Sequence, residues 1–336
     1  MAMFDLSLDK LRAYRPEVAA PADLVDFWRR SIEKARTDDL SASFTAIDNK
    51  LAVIDTYDVT FAGFGGAPVK GWLHVPAGAT GPLPTVVQYF GYSGGRGFPH
   101  ATNLWAQAGY AHFVMDTRGQ GYSAGGSGTA DDSAYAGLNH TPGFMTAGIT
   151  DPETYYYRRV FIDAVRALEA ARTSPFVDPD KIIVTGASQG GGISIAAAGL
   201  AGLAGIELLG CAPDVPFLCH FQRALQITDK DPYGEITRYL KGFRQDVDAA
   251  LRTLSYFDGV NLGRLATAPA LFSVALMDAI CPPSTVFAAF NSYGAAAKDI
   301  EVYSYNEHEG GQTYQQLAQL DWFAKAFATK ESSTDR

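Results

Sequence analysis

Ser188 is the residue with the clearest chemical context in this chain. It sits in Gly186-Ala187-Ser188-Gln189-Gly190, behind the apolar run Lys181-Ile182-Ile183-Val184-Thr185 and ahead of the small-residue stretch Ile193-Ser194-Ile195-Ala196-Ala197-Ala198. Strand, sharp turn and helix in that order project a serine Oγ at the top of a parallel sheet. The flanking glycines let strand and helix close on the turn. Gly-x-Ser-x-Gly alone is a weak signal, because the chain holds 34 glycines and repeats the pattern around Ser93 and Ser123. Ser93 follows a strand-like run, but residues 94–99 delay any helix. Ser123 lies in a Gly-rich stretch with no helix behind it. Only Ser188 has both flanks.

A serine hydroxyl needs a base within hydrogen-bond reach, and the base needs an acid that fixes its tautomer and stabilises the imidazolium. Where a serine sits on such a turn, the chain order is Ser, then Asp or Glu, then His. Two histidines follow Ser188. His308, in Tyr305-Asn306-Glu307-His308-Glu309-Gly310-Gly311, stands directly after the last predicted strand, where the base belongs; His220 lies inside an insertion. For the acid, Asp278 follows Leu271-Phe272-Ser273-Val274-Ala275-Leu276-Met277 and so reaches the carboxyl edge of a strand. It is preferred over Asp214, which ends the strand before. An oxyanion needs two backbone N–H groups. Gln189, the residue after the nucleophile, supplies one, and Tyr92 in Gly91-Tyr92-Ser93-Gly94-Gly95 is the expected second donor. No HExxH, Cys/His cluster, P-loop or strand-borne GxGxxG occurs, so neither a metal nor a cofactor is expected.

The elements that must position these residues follow from patterning. Residues 57–61 and 69–75 alternate around Gly63-Phe64-Gly65-Gly66 and predict an antiparallel hairpin. Strands are then expected at 85–90, 111–115, up to the elbow, at 206–212, 269–276 and 299–305. They alternate with helices at 100–109, 155–172, after the elbow, at 283–293 and 313–327. A helix at 21–34, with Asp23 as its N-cap, precedes them. Residues 116–133 read as a Gly-rich loop. This rhythm predicts an α/β fold with a mostly parallel central sheet covered by helices on both faces. Residues 213–262 break the rhythm with helical segments and aromatics, and predict a helical insertion after the sixth strand. The expected organisation is one domain over 1–336, with an N-terminal helical extension of about 50 residues.

Composition narrows the partners. A net charge of −9, with the 27 Lys and Arg scattered, argues against nucleic acid and against an anionic membrane surface. Cys211, Cys219 and Cys281, an odd number without CxxC, read as reduced thiols. With no signal-peptide pattern in residues 1–16 and no apolar run of membrane length, a cytoplasmic protein is expected.

Taken together, Arg118-Gly119-Gln120, Gly186-Ala187-Ser188-Gln189-Gly190 and His308-Glu309 resemble, in order, the signatures of an α/β-hydrolase family. It is the acetyl xylan esterase and cephalosporin C deacetylase family, carbohydrate esterase family 7. Val87-Gln88-Tyr89, Gly94-Gly95-Arg96-Gly97, Pro216-Phe217-Leu218-Cys219 and the stretch from Met277 to Thr285 are similar to it as well. The resemblance implies the triad Ser188, Asp278 and His308, with Tyr92 and Gln189 as oxyanion donors. It implies structural roles for Arg118 and Gln120, and a small acyl pocket near Trp105 and Phe217. It also implies a doughnut-like hexamer whose sites face an inner cavity. Relatives commonly have His where this chain has Phe90. The expected activity is removal of acetyl groups from acetylated xylo-oligosaccharides and other small acetate esters, cephalosporin C among them. A general carboxylesterase and a catalytically silent binding scaffold are the rival readings.

Overall fold

Two helices, α1 (Leu8–Ala13) and α2 (Leu24–Ala35), lead into the sheet. The computed structural model describes residues 3–123, 126, 128–131 and 143–334. Leu24, Phe27, Trp28, Ser31, Ile32 and Ala35 form the buried stripe of α2, the helical spacing made visible. Asp23 makes no capping bond. Its carboxylate instead accepts the Tyr256 hydroxyl at 2.7 Å, and the Trp28 indole N–H donates to the Tyr256 carbonyl at 3.0 Å, so α2 is docked onto the insertion.

Strand β1 (Ser43–Ile47) is followed by β2 (Ile54–Ala62), β3 (Pro68–Pro76) and β4 (Leu83–Tyr89). Then come α3 (Leu104–Gln107), β5 (Ala111–Met115), α4 (Tyr156–Ala171), β6 (Val177–Ala187), α5 (Gln189–Ala201) and β7 (Gly210–Asp214). The insertion supplies α6 (Phe221–Ile227), α7 (Tyr233–Gly242), α8 (Val247–Ser255) and α9 (Gly259–Gly263). The chain closes with β8 (Ala270–Ala275), α10 (Pro283–Ser292), β9 (Lys298–Tyr303) and α11 (Thr313–Thr334). Among the described residues the nine strands form one sheet in the order β1-β2-β3-β5-β4-β6-β7-β8-β9. The first three strands and the β3–β5 pair are antiparallel, and every later pair is parallel. Seam strengths differ: β8 and β9 register over six residue pairs, whereas β7 and β8 register only at Cys211 and Ala270.

Period-two alternation divides the core. Val87, Ile182 and Val184 face the large cluster under α4 and α5. Val86 and Ile183 face a smaller one with Ala212, Trp105, Phe323 and Phe327 beneath α3 and α11. The chain leaves β4 for β5 on one side and takes up β6 on the other. The crevice at the carboxyl ends of β4 and β6 is therefore the sheet's switch point, where ligands of open α/β folds bind.

Four sequence expectations shift. The short, mostly exposed β1 pairs along the edge of β2, which makes the strand before the insertion the seventh rather than the sixth. The helix expected at 100–109 is reduced to α3. The Asn103 amide turns back to the His100 carbonyl at 3.1 Å, a local bond that competes with helix. The strand expected at 206–212 starts at Gly210, because the Ile206 N–H is spent on the Ala201 carbonyl at the end of α5. Asp278 lies beyond β8, in a turn closed by its N–H to the Ala275 carbonyl at 3.3 Å. Of the Gly-rich loop, 124–125, 127 and 132–133 lie outside the described residues.

Candidate active site

Ser188 joins β6 to α5 with φ +56° and ψ −119°, a conformation that a non-glycine residue adopts only under compulsion. The compulsion is visible. The Ser188 N–H donates to the Asp214 carbonyl at 2.9 Å, and its own carbonyl accepts from Gly192 and Phe217 at 3.0 and 2.9 Å. A Cβ on Gly190 would lie 2.2 Å from the Tyr89 carbonyl oxygen, and one on Gly186 would lie 2.5 Å from it. Glycine at both positions is what lets β4 and α5 close on the turn.

His308, in the loop between β9 and α11, bridges to both sides. Its Nε2 lies 3.0 Å from Ser188 Oγ and its Nδ1 lies 2.8 Å from Asp278 Oδ2. Asp278 is fully buried, and its other oxygen accepts the N–H groups of Ile280 and Cys281 at 2.8 and 2.9 Å. With one oxygen engaged by these two N–H groups, the carboxylate keeps the other for Nδ1–H, which leaves Nε2 free to accept from the serine. Asp214 is placed otherwise. Ser273 Oγ donates to its carboxylate, and burial raises its pKa to about 6. Asp278, Cys281 and His308 offer ligand atoms within 4.8 Å of one another. The carboxylate and both imidazole nitrogens already have partners, and burial pushes the Cys281 thiol well above its ordinary value, so the trio is poorly suited to a cation.

The loop after β4 lies against the serine: a Cβ on Gly91 would stand 3.8 Å from Ser188 Cβ. The Gln189 N–H is among the first-turn donors that a helix leaves unpaired. The Gln189 side chain ties the loop down through Nε2 to the Phe90 carbonyl at 3.2 Å. It also pairs reciprocally with the buried Gln120 amide, at 2.9 and 3.2 Å, and Gln120 in turn accepts the Ser93 N–H at 2.8 Å. Arg118 grips Asp163 through two bonds, at 2.5 and 2.7 Å. Asp116 gathers the N–H groups of Arg96, Gly128 and Thr129. Ser93 and Ser123, bearers of the other two Gly-x-Ser-x-Gly patterns, bond to each other through their hydroxyls at 2.6 Å.

A cavity of about 430 Å³ opens over Ser188 and His308, lined by Gly91, Tyr92, Tyr122, Asp231, Pro232, Glu235 and Ile280. Neither Trp105 nor Phe217 lines it. Trp105 is packed on Phe323, with ring centroids 4.8 Å apart, and faces a separate cavity under α3 and α11. Phe217 is wholly buried with its ring 4.3 Å from that of Tyr233; only its backbone touches the elbow. Around Ser188 the cavity is walled instead by Pro232, Ile280 and Tyr92. Pro232 and Glu235 come from the insertion, and no local pattern marks them; tertiary packing alone brings them over the serine.

A mostly parallel sheet carrying a serine elbow at its switch point and a hydrogen-bonded Ser-His-Asp chain defines an α/β-hydrolase. The family model for acetyl xylan esterase (AXE1) matches residues 1–326. An acetyl xylan esterase from a Paenibacillus species superposes with a TM-score of 0.88 at 37% identity, over 95% of this chain and 99% of that one. A second, from a Thermoanaerobacterium species, gives 0.85 at 30% identity, over 96% and 100%. An acetyl esterase of Xylanibacter ruminicola is 25% identical over 300 residues, which is 88% of this chain but 65% of that protein. The chain thus spans under two thirds of the length of that curated relative. The chain belongs to the acetyl xylan esterase family, a family of carboxylic ester hydrolases. Among the described residues no helix is long and apolar enough to cross a membrane.

Proposed function

We propose that the chain is a serine deacetylase acting on acetylated xylo-oligosaccharides and other small acetate esters, cephalosporin C among them. Ser188 Oγ attacks the ester carbonyl as its proton passes to His308 Nε2, and Asp278 holds His308 in the required tautomer. The oxyanion is met by the N–H groups of Gln189 and Tyr92. Collapse of the tetrahedral adduct sends the proton from His308 to the leaving alkoxide and leaves an acetyl-enzyme. Water, deprotonated by the same imidazole, then releases acetate and regenerates Ser188. The observation that carries this reading is the unbroken chain of hydrogen bonds, 3.0 and 2.8 Å, from the strained serine through His308 to a buried carboxylate.

The walls over Ser188 lead to a selectivity test. Pro232 and Ile280 are rigid apolar neighbours, and a chain longer than acetyl must displace them or Tyr92. One methylene of misfit in an apolar pocket is worth about 1–3 kcal/mol, or about 10–200-fold in kcat/KM. The 4-nitrophenyl butyrate and octanoate esters are therefore expected to be hydrolysed clearly more slowly than the acetate. Octanoate turned over as fast as acetate would return the reading to a general carboxylesterase. Rates on a panel of acetylated sugars would then rank the natural alcohols.

A hexamer in solution is also expected. The reading is supported by family membership and by the exposed Tyr305, Tyr314 and Leu317, apolar groups suited to burial between subunits. Light scattering that returned the mass of a monomer at micromolar concentration would refute the assembly.

A further inference from the structure

The turn after β4 is pinned at residues 90 and 93 from one side, by Gln189 and Gln120. A further anchor comes from the other side, out of the insertion. The Tyr92 hydroxyl lies 2.8 and 2.9 Å from the two carboxylate oxygens of Glu235, in the first turn of α7. The same hydroxyl accepts the N–H groups of Gly143 and Phe144 at 3.3 and 3.1 Å, and Glu235 Oε2 accepts the Met145 N–H at 3.3 Å. The Phe144 ring stands edge-on to Tyr92, with centroids 5.9 Å apart. The Met145 carbonyl accepts the Tyr155 hydroxyl at 3.0 Å, which roots the cluster in α4. Glu235 is nine-tenths buried, although it lines the cavity over Ser188. Burial raises its pKa; the bonds from Tyr92 and Met145 act the other way, and Asp231 adds to the rise.

A buried carboxylate engaged by a tyrosine hydroxyl and one backbone N–H is costly unless those groups must be held in place. From the clamp we infer that Glu235 is the positioning residue of the oxyanion hole, fixing the Gly91–Tyr92 peptide by gripping the far end of the Tyr92 side chain. The inference rests on the proposed role of the Tyr92 N–H. Tyr92 contributes its backbone to the reaction and its phenol to the clamp. Through it the insertion controls the rate of the chemical steps without touching the reacting atoms. A donor displaced by a fraction of an ångström still permits substrate to bind, but stabilises the transition state less.

The test compares E235A, E235Q, Y92F and the E235A/Y92F pair with the wild type on 4-nitrophenyl acetate, and measures inhibition by a trifluoromethyl ketone, whose serine adduct carries the oxyanion. E235A and Y92F are each expected to lower kcat about 10- to 100-fold, the range set by loss of donor placement. KM should stay within about threefold, and affinity for the ketone should fall by the same factor as kcat/KM. E235Q keeps a carbonyl oxygen to accept the Tyr92 hydroxyl and should recover most of the loss. The double variant should be no slower than the slower single one, since both remove the same contact. Wild-type kcat in E235A and Y92F, losses confined to KM, or losses that multiply in the pair would each overturn the clamp. If E235A does not fold, Y92F, which keeps ring and backbone, decides alone. Esterase activity lost in Ser188→Ala but unchanged in E235A and Y92F would overturn the clamp and leave the deacetylase reading standing. A wild-type protein inert towards acetate and octanoate alike would overturn both.

Discussion

Ser188→Ala is expected to reduce ester hydrolysis by on the order of 10⁶-fold in kcat, the loss seen when a nucleophile is removed from a serine triad. Its thermal unfolding midpoint should stay close to that of the wild type. The side chain lost is one hydroxyl, and the backbone bonds that impose the elbow, to Asp214, Gly192 and Phe217, do not involve it. Alanine is as strained as serine at φ +56°, so the substitution relieves nothing. Ser93→Ala and Ser123→Ala should retain most activity, because each removes half of a hydroxyl pair that lies away from His308. Steady-state rates with a circular-dichroism melt check all three variants. An active Ser188→Ala beside an inactive Ser93→Ala would move the nucleophile to the loop after β4.

Asp278→Asn is expected to cost on the order of 10⁴-fold in kcat. An asparagine at this buried site still accepts from Ile280 and Cys281 through its oxygen. Its NH2 would then face His308 and favour the tautomer with the proton on Nε2. That imidazole cannot take the serine proton. Asp214→Asn should be mild, since an amide oxygen in the same place accepts from Ser273 as the carboxylate does. The two variants, assayed side by side on 4-nitrophenyl acetate, discriminate cleanly. A severe Asp214 effect with a mild Asp278 effect would shift the acid one strand earlier.

What could be read in the chain follows from how local each signal is. The elbow was legible because strand, turn and helix are contiguous over residues 181–201, and small residues are required where backbones touch. Asp278 and His308 were legible by position, each just past a strand of the parallel sheet. Strand β1 was not, because five residues on an exposed sheet edge, with one neighbour, are too few to stand out as a strand. The placement of Trp105 relative to the cavity over Ser188 had no local signal either. It sits on the α3 and α11 side of β4, with its indole N–H 3.3 Å from Gln88 Oε1 and its ring against Phe323. Glu235 carried no signal at all. It lies 143 positions from Tyr92 in sequence and meets it only when the insertion folds back over the strand edge.

The seam between β7 and β8, with its single register pair, runs through the site. Asp278 and His308 both belong to the β8–β9 flap, joined to each other by six register pairs of strand and a carboxylate–imidazole bond. Ser188 and the turn after β4 lie on the other side of that seam, which is also bridged by Ser273 Oγ, bonded to the Asp214 carboxylate and to the Val215 N–H, and by the Cys211 N–H on the Pro269 carbonyl. Acid and base thus share one side of the seam, and Ser188 with the turn after β4 the other. In the proposed mechanism the proton exchanged between Ser188 and His308 crosses that seam in each half-reaction, whereas the bond that orients the imidazole lies on one side of it.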